Sequence, residues 1–263
     1  MIFMELMIEW GVAQTSGPDK DEPEDTWFIV QGVAAGVFDG VGGWREDGIN
    51  PAPFTRDIAN GCWEAIESGD RGVISILNSG YKSALKRGNQ GSCTATIVLK
   101  TGPRQVTVAN LGDSGLAVFR DGKKIFQTEE QQYDFNYPYS LSSDRDAEPS
   151  EAERTMLTKL KSGDYLVLAS DGLWDNLYPN EISHLLDDEK TSEEIATDLT
   201  VAAFFASDDP RRWAPFGQKY VEKLYGQQNP FSDSLDNDPG PPPLIEYLGG
   251  KPDDITVLVG RLS

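Results

Sequence analysis

Phe38-Asp39-Gly40-Val41-Gly42-Gly43-Trp44 decides the reading of this 263-residue chain. The apolar run Val33–Phe38 ahead of it reads as a strand, so the Asp39 carboxylate stands on a rigid strand end. The glycines that follow let backbone carbonyls and a ligand come close. Three further acidic stretches share that setting: Glu24-Asp25 ahead of Thr26–Val30, Asp171 after the apolar run Asp164–Ser170, and Asp253-Asp254 ahead of Ile255–Arg261.

Outward from these stretches the chain reads as strands with helices inserted in pairs. Leu6–Ala13 reads as the first strand, and Thr55–Ser68 and Val73–Lys86 as a helix pair with apolar residues at helical spacing. Thr94–Lys100, Gln105–Leu111, Leu116–Arg120 and Lys123–Gln127 form a strand-rich block, and Asp121-Gly122 is a hairpin turn. The segment Gln131–Arg154 reads as polar and irregular. Asp164–Ser170 is near-continuously apolar, as in a strand buried on both faces. Pro179–Leu186, Ser192–Ala206 and Gln218–Tyr225 read as helices, with Ser192 as a cap, and Gln227–Pro243 as an exposed loop. No βαβ alternation is sustained, which predicts an α+β fold with antiparallel sheets.

Composition narrows the function. Lys and Arg total 23 against 43 Asp and Glu, a formal net charge of −20. Such a surface repels nucleic acid and anionic membranes, and it repels a phosphate ester unless divalent cations invert the local field. Cys62 and Cys93 form no CxxC pair or disulfide framework, so an intracellular, reducing compartment is expected. No apolar run reaches the roughly 20 residues of a membrane span. The first ten residues lack the basic region of a signal peptide and read as part of the opening strand.

Several ionised carboxylates on one rim repel one another unless they neutralise a cation. Oxygen donors suit Mg²⁺ or Mn²⁺ rather than zinc, and with His184 as the sole histidine, His-based metal sites are excluded. Two such ions, roughly 3.5–4 Å apart, can activate a bridging water for in-line attack on phosphorus. No protein nucleophile is needed, and none is convincing. Gly112-Asp113-Ser114-Gly115 lacks a histidine partner, because His184 falls within an apparent helix as a surface or packing residue, and no P-loop is present.

The ordered set PEDTWF, VFDGVGGW, GSCTATIV, ANLGDSGLAVFRDGK, YLVLASDGLWDN and KPDDITVLV resembles the type 2C metal-dependent serine/threonine protein phosphatases, from about Glu24 to Val259. DGVGGW in place of the commoner DGHGG is similar to the branch with mitochondrial and plastid members. The resemblance implies one catalytic domain over 1–263, built as two packed antiparallel sheets flanked by helix pairs in a four-layer αββα sandwich. It implies Asp39, Asp171 and Asp253 as the catalytic acids. Asp39 would bridge both Mg²⁺ or Mn²⁺ ions, with the Gly40 carbonyl beside it. Glu24 would bind one ion directly or through water, and Asp171 and Asp253 the other. Asp175 matches an acid tied to a third, weaker ion. Asp253 is preferred over Asp254, which stands where the family often has Asn. Asp25 and Asp113 lie in family motifs, with a structural hydrogen-bonding role as the open alternative. Val41 replaces a histidine proposed to protonate the leaving group, and Lys20 or Arg45 is the candidate to grip phosphate. The implied protein is a monomer acting on phosphoprotein substrates, without nucleic acid or membrane insertion, in the cytoplasm or a mitochondrion or plastid. The alternatives are a pseudophosphatase that binds a partner without turnover, and a hydrolase of small phosphate esters.

Overall fold

The computed structural model describes residues 5–18, 20–225 and 248–263. The expected loop Gln227–Pro243 lies outside them. In chain order the elements are β1 (Ile8–Thr15), β2 (Thr26–Val30), β3 (Ala34–Phe38), α1 (Ala52–Glu67), α2 (Val73–Arg87), β4 (Ser92–Cys93), β5 (Ala95–Gly102), β6 (Gln105–Leu111), β7 (Gly115–Arg120), β8 (Lys123–Gln127), β9 (Gln132–Asp134), β10 (Tyr137–Pro138), β11 (Leu141–Ser142), β12 (Glu153–Thr158), β13 (Tyr165–Ala169), α3 (Asp171–Trp174), α4 (Pro179–Leu185), α5 (Ser192–Ser207), α6 (Pro215–Tyr225) and β14 (Ile255–Leu262).

Two five-stranded antiparallel sheets carry the fold, in the orders β1-β14-β13-β7-β8 and β12-β6-β5-β3-β2. Strand periodicity sorts the side chains into three cores. Ala35 and Val37 of β3, Leu166 and Leu168 of β13, and Leu258 of β14 meet between the sheets. Ala34 and Phe38 turn the other way, onto α1 and α2 through Phe54, Ile58, Ile76 and Leu77. Val167, Ala169, Val257 and Val259 turn onto α5 through Ile195, Leu199 and Ala203. The layers run helices, sheet, sheet, helices, the α+β sandwich that the sequence predicts. The apolar runs of β3, β13 and β14 are continuous because each strand is covered on both faces.

Local chemistry shifts several expected boundaries. α1 begins at Ala52, ahead of Thr55, because Pro51 suits a helix entrance. Thr191, not Ser192, caps α5: its hydroxyl accepts from the Glu194 N–H at 3.2 Å, while the Ser192 hydroxyl donates to the Glu9 carbonyl. Asp121 and Gly122 both have positive φ, as a tight hairpin between β7 and β8 requires. Gln131–Arg154 is not irregular throughout. It contains β9, β10 and β11 and the start of β12, which pairs with β6 as an edge strand. The β12 sequence ERTMLT has no fully buried position, so it carries no apolar signal. Among the described residues no helix is long and apolar enough to cross a membrane.

Candidate metal centre

Strand register gathers the acids at one rim. Thr26 pairs with Phe38, so the entry to β2 lies beside the exit of β3. Thr96 pairs with both Val37 and Asn110, which brings the exit of β6 to the same edge. In the other sheet Ala169 pairs with Val257, placing the exit of β13 beside the entry to β14. Glu24 and Asp25, Asp39, Asp113, Asp171, and Asp253 and Asp254 sit at those strand ends. The backbone is tightly packed here. A Cβ on residue 40 would stand 2.7 Å from the Glu24 carbonyl oxygen, and one on residue 172 only 2.1 Å from that of Asp254.

Asp39, Asp113 and Asp171 each present a carboxylate oxygen, and these atoms lie within 4.8 Å of one another. Asp113 Oδ1 and Asp171 Oδ1 are buried without a hydrogen-bond donor, as is Asp25 Oδ1. Buried carboxylate oxygens left without donors and aimed together fit a hard divalent cation, which supplies the missing positive charge. The neighbouring acids are mostly met by protein groups instead, Asp25 Oδ1 excepted. Asp254, 2% exposed, accepts from the Gly17 and Glu24 amides at 2.7 Å each and from Lys20 Nζ at 2.9 Å. Glu24 is fully buried and pairs with Arg45 Nε at 2.5 Å and Lys20 Nζ at 2.8 Å. Asp25 Oδ2 accepts from the Thr256 hydroxyl at 2.8 Å. Asp253 has a side chain 28% exposed and takes the Asp254 amide at 2.8 Å.

The crowding moves the titrations. Burial, then the charges of Asp25 and Asp171, push Asp39 well above the usual carboxylate range. Burial and Asp171 do the same to Asp113. Burial and the Asp254 charge push Asp25 up to about 8, against the hydroxyl bonds it accepts. Asp253 rises to about 6 from burial and Asp171, offset by Lys251 and Lys20. Burial acts upward on Asp171 too, but the Lys251 ammonium outweighs it and holds Asp171 below the ordinary value. Four of these five carboxyls therefore favour protons until another cation arrives.

The structure brings the expected Glu24, Asp39, Gly40, Asp171, Asp175 and Asp253 to this rim. Two residues carry more than their sequence setting suggests. Asp113 stands in the carboxylate trio, and the signal for it is its place at a strand end before a turn, as for Asp39. Lys251 bonds Asp171 Oδ2, lies 3.0 Å from Asp175 Oδ2 and 3.7 Å from Asp253 Oδ2. Its adjacency to Pro252-Asp253-Asp254 is the only sequence signal for it. Val41 is partly exposed beside Gly40, and His184 is exposed on α4.

No family model matches the chain. It is 34% identical over 253 residues to probable protein phosphatase 2C 55 of Arabidopsis thaliana, covering 94% of this chain and 50% of that protein. The chain thus spans about half the length of that plant relative. With the protein phosphatase PTC7 homolog of Xenopus laevis it shares 31% identity over 265 residues, covering 91% of this chain and 81% of that protein. The X-ray structure of the photosystem II phosphatase PBCP superposes with a TM-score of 0.84 at 27% identity, over 97% of this chain and 99% of that one.

Proposed function

Because the chain belongs to the protein phosphatase 2C family, we propose that it is a metal-dependent protein serine/threonine phosphatase, with 1–263 as one catalytic domain acting on phosphoproteins. The observation that carries this reading is the trio Asp39, Asp113 and Asp171, with two buried carboxylate oxygens lacking any donor. When bound, Mg²⁺ or Mn²⁺ supplies the charge that activates water and neutralises phosphoryl oxygens for in-line hydrolysis.

Asp39 and Asp171 would hold these ions together with Asp253 and the Gly40 carbonyl, with Asp113 joining them. Asp253 serves rather than Asp254, because both Asp254 oxygens already hold backbone amides. Those bonds fix the Glu24 backbone, and Glu24 in turn fixes Arg45 through Nε. Arg45, 44% exposed, keeps its terminal guanidinium groups for substrate phosphate, whereas Lys20 is committed to Glu24, Asp253 and Asp254. Val41 offers no proton, so the leaving alkoxide draws one from water or a site carboxyl.

The intact acid set favours turnover over a scaffold role. The net charge of −20 supports a phosphoprotein substrate over nucleic acid. Two buried free thiols support a reducing intracellular compartment, with a mitochondrion or plastid as the family alternative to cytoplasm. A monomer suffices, since every site residue comes from one chain.

p-Nitrophenyl phosphate tests the reading, because its good leaving group needs no protein acid. Turnover is expected with Mn²⁺ or Mg²⁺, with reversible loss in EDTA and no turnover by Asp39→Ala. Full activity in excess EDTA, or near-wild-type rates from Asp39→Ala, overturns it.

A further inference from the structure

Asp175, one turn after Asp171, is the expected ligand of a third ion, yet each of its oxygens already faces an ammonium. Lys219 Nζ lies 2.8 Å from Oδ1 and Lys251 Nζ 3.0 Å from Oδ2. We infer that Lys219 and Lys251 are the built-in counter-ions of Asp175, standing where a divalent cation would otherwise bind, so that this chain takes no ion at that position. The inference rests on the two-ion reading only for what fills the rest of the rim.

Both lysines are held in place by the structure around them. The Asn176 side chain clamps the backbone of residue 251 from two sides. Its Oδ1 accepts from the Lys251 amide at 2.8 Å, and its Nδ2 donates to the Lys251 carbonyl at 2.9 Å and the Gly172 carbonyl at 3.0 Å. Asn176 is fully buried and directly follows Asp175. The Lys251 ammonium also sits 5.3 Å from the centre of the Phe216 ring. Phe216 is tied to the same acid, its amide donating to the Asp175 carbonyl at 3.0 Å. Lys219 lies one turn further along α6 and makes a second ion pair with Glu130 at 2.6 Å.

The contrast within the rim is chemical. Asp113 and Asp171 each keep a buried oxygen with no donor, whereas Asp175, 4% exposed, keeps none. A divalent ion at Asp175 would have to displace two ammonium groups into a cleft whose other carboxylates already hold part of them. Lys251 faces Asp171, Asp175 and Asp253, and Lys219 faces Asp175 and Glu130. Both counter-ions are attached to the chain and present at any metal concentration.

The test counts bound Mn²⁺ on the full chain, by electron paramagnetic resonance of the free ion during titration, with thermal melts to establish folding. Lys219→Met with Lys251→Met is expected to bind one Mn²⁺ more than the parent, and adding Asp175→Asn is expected to remove that gain. In the otherwise unchanged chain, Asp175→Asn is expected to leave the count unaltered, which keeps the inference testable if the double lysine variant fails to fold. No gain from the folded lysine variant, or an ion lost from the parent on Asp175→Asn, overturns the inference. A parent that binds no Mn²⁺ sinks the two-ion reading of the rim. The lysine assignment is still decided by the difference between variant and parent.

Discussion

Asp253 and Asp254 are adjacent acids with opposite expected consequences when neutralised. Asp254 is 2% exposed and ties the entry of β14 to the connection between β1 and β2 at three points, the Gly17 amide, the Glu24 amide and Lys20. Hydrogen bonds to a charged acceptor contribute about 1.5–3 kcal/mol each, and a buried donor left alone costs about 1–3 kcal/mol. An asparagine keeps one acceptor oxygen but turns an NH₂ toward the second amide. Asp254→Asn should therefore lose roughly 2–3 kcal/mol, and Asp254→Ala roughly 3–5 kcal/mol because both amides are stranded. Asp253→Asn keeps an acceptor for its neighbour's amide and gives up the charge of its 3.5 and 3.7 Å contacts to Lys20 and Lys251, in a side chain 28% exposed. It also relieves repulsion from Asp171, so its cost should stay below about 1 kcal/mol. Urea unfolding in EDTA at neutral pH separates the two, with stability read from the midpoint at unchanged m-value. With saturating Mn²⁺ the folded Asp253→Asn should lose most of its turnover. An Asp254→Asn variant within about 0.5 kcal/mol of the parent, or an Asp253→Asn variant equally destabilised, would refute the division of labour.

Two other outcomes follow from the site's electrostatics. In EDTA, Asp25, Asp39, Asp113 and Asp253 bind protons more tightly folded than unfolded, with Asp25 at about 8 and Asp253 at about 6. Their stabilising contribution is fully present below the unfolded value and is lost as pH rises through the folded one. Stability in EDTA should fall from about pH 4 to pH 8, by up to about 1.4 kcal/mol per pH unit for each group until the pH passes its folded value, with Asp253 finished by about pH 6 and Asp25 by about pH 8; the melting temperature falls with it, and Asp25→Asn should flatten the part above pH 6. Mn²⁺, binding the ionised forms, should abolish it; a melting temperature independent of pH in EDTA contradicts the assigned shifts. Arg45→Ala should raise KM for a phosphopeptide about 10-fold or more while changing kcat little, with Arg45→Lys recovering only part. An unchanged KM removes Arg45 from phosphate binding.

The sheet sandwich is legible in the sequence because its central strands are buried on both faces. Runs such as Tyr165–Ala169 and Ile255–Leu262 then stand out against a polar chain. The edge strand β12 escapes notice for the opposite reason: its solvent-facing positions are Glu153, Arg154, Met156 and Thr158, and no residue of it is fully buried. Asp39 is legible through its glycine turn. Asp113 carries the same strand-end context, but the short Gly-Asp-Ser-Gly segment also describes an ordinary hydrogen-bonded turn. Only the register that brings the exit of β6 to the exit of β3 distinguishes the two. Lys251 is barely legible, through its adjacency to Pro252-Asp253-Asp254 alone. It lies 80 residues along the chain from Asp171, and its place among the acids depends on the Asn176 clamp.

Which oxygens the protein itself satisfies separates the acids more sharply than their motif membership. The rim holds far more negative charge than one lysine can offset, yet the cations are not shared out evenly. Lys20 and Arg45 go to Glu24 and Asp254, and Lys219 goes to Asp175 and Glu130. Lys251 reaches only one oxygen of Asp171, leaving the other buried and bare. A fold selected only for stability would gain by pairing those oxygens or by replacing their carboxylates with apolar groups. The bare oxygens of Asp113 and Asp171, two of the three carboxylates of the trio, are a standing cost of the metal-free state. A divalent ion held there would offset that cost, which is why the proposed reading centres on Asp39, Asp113 and Asp171 rather than on the equally acidic neighbours.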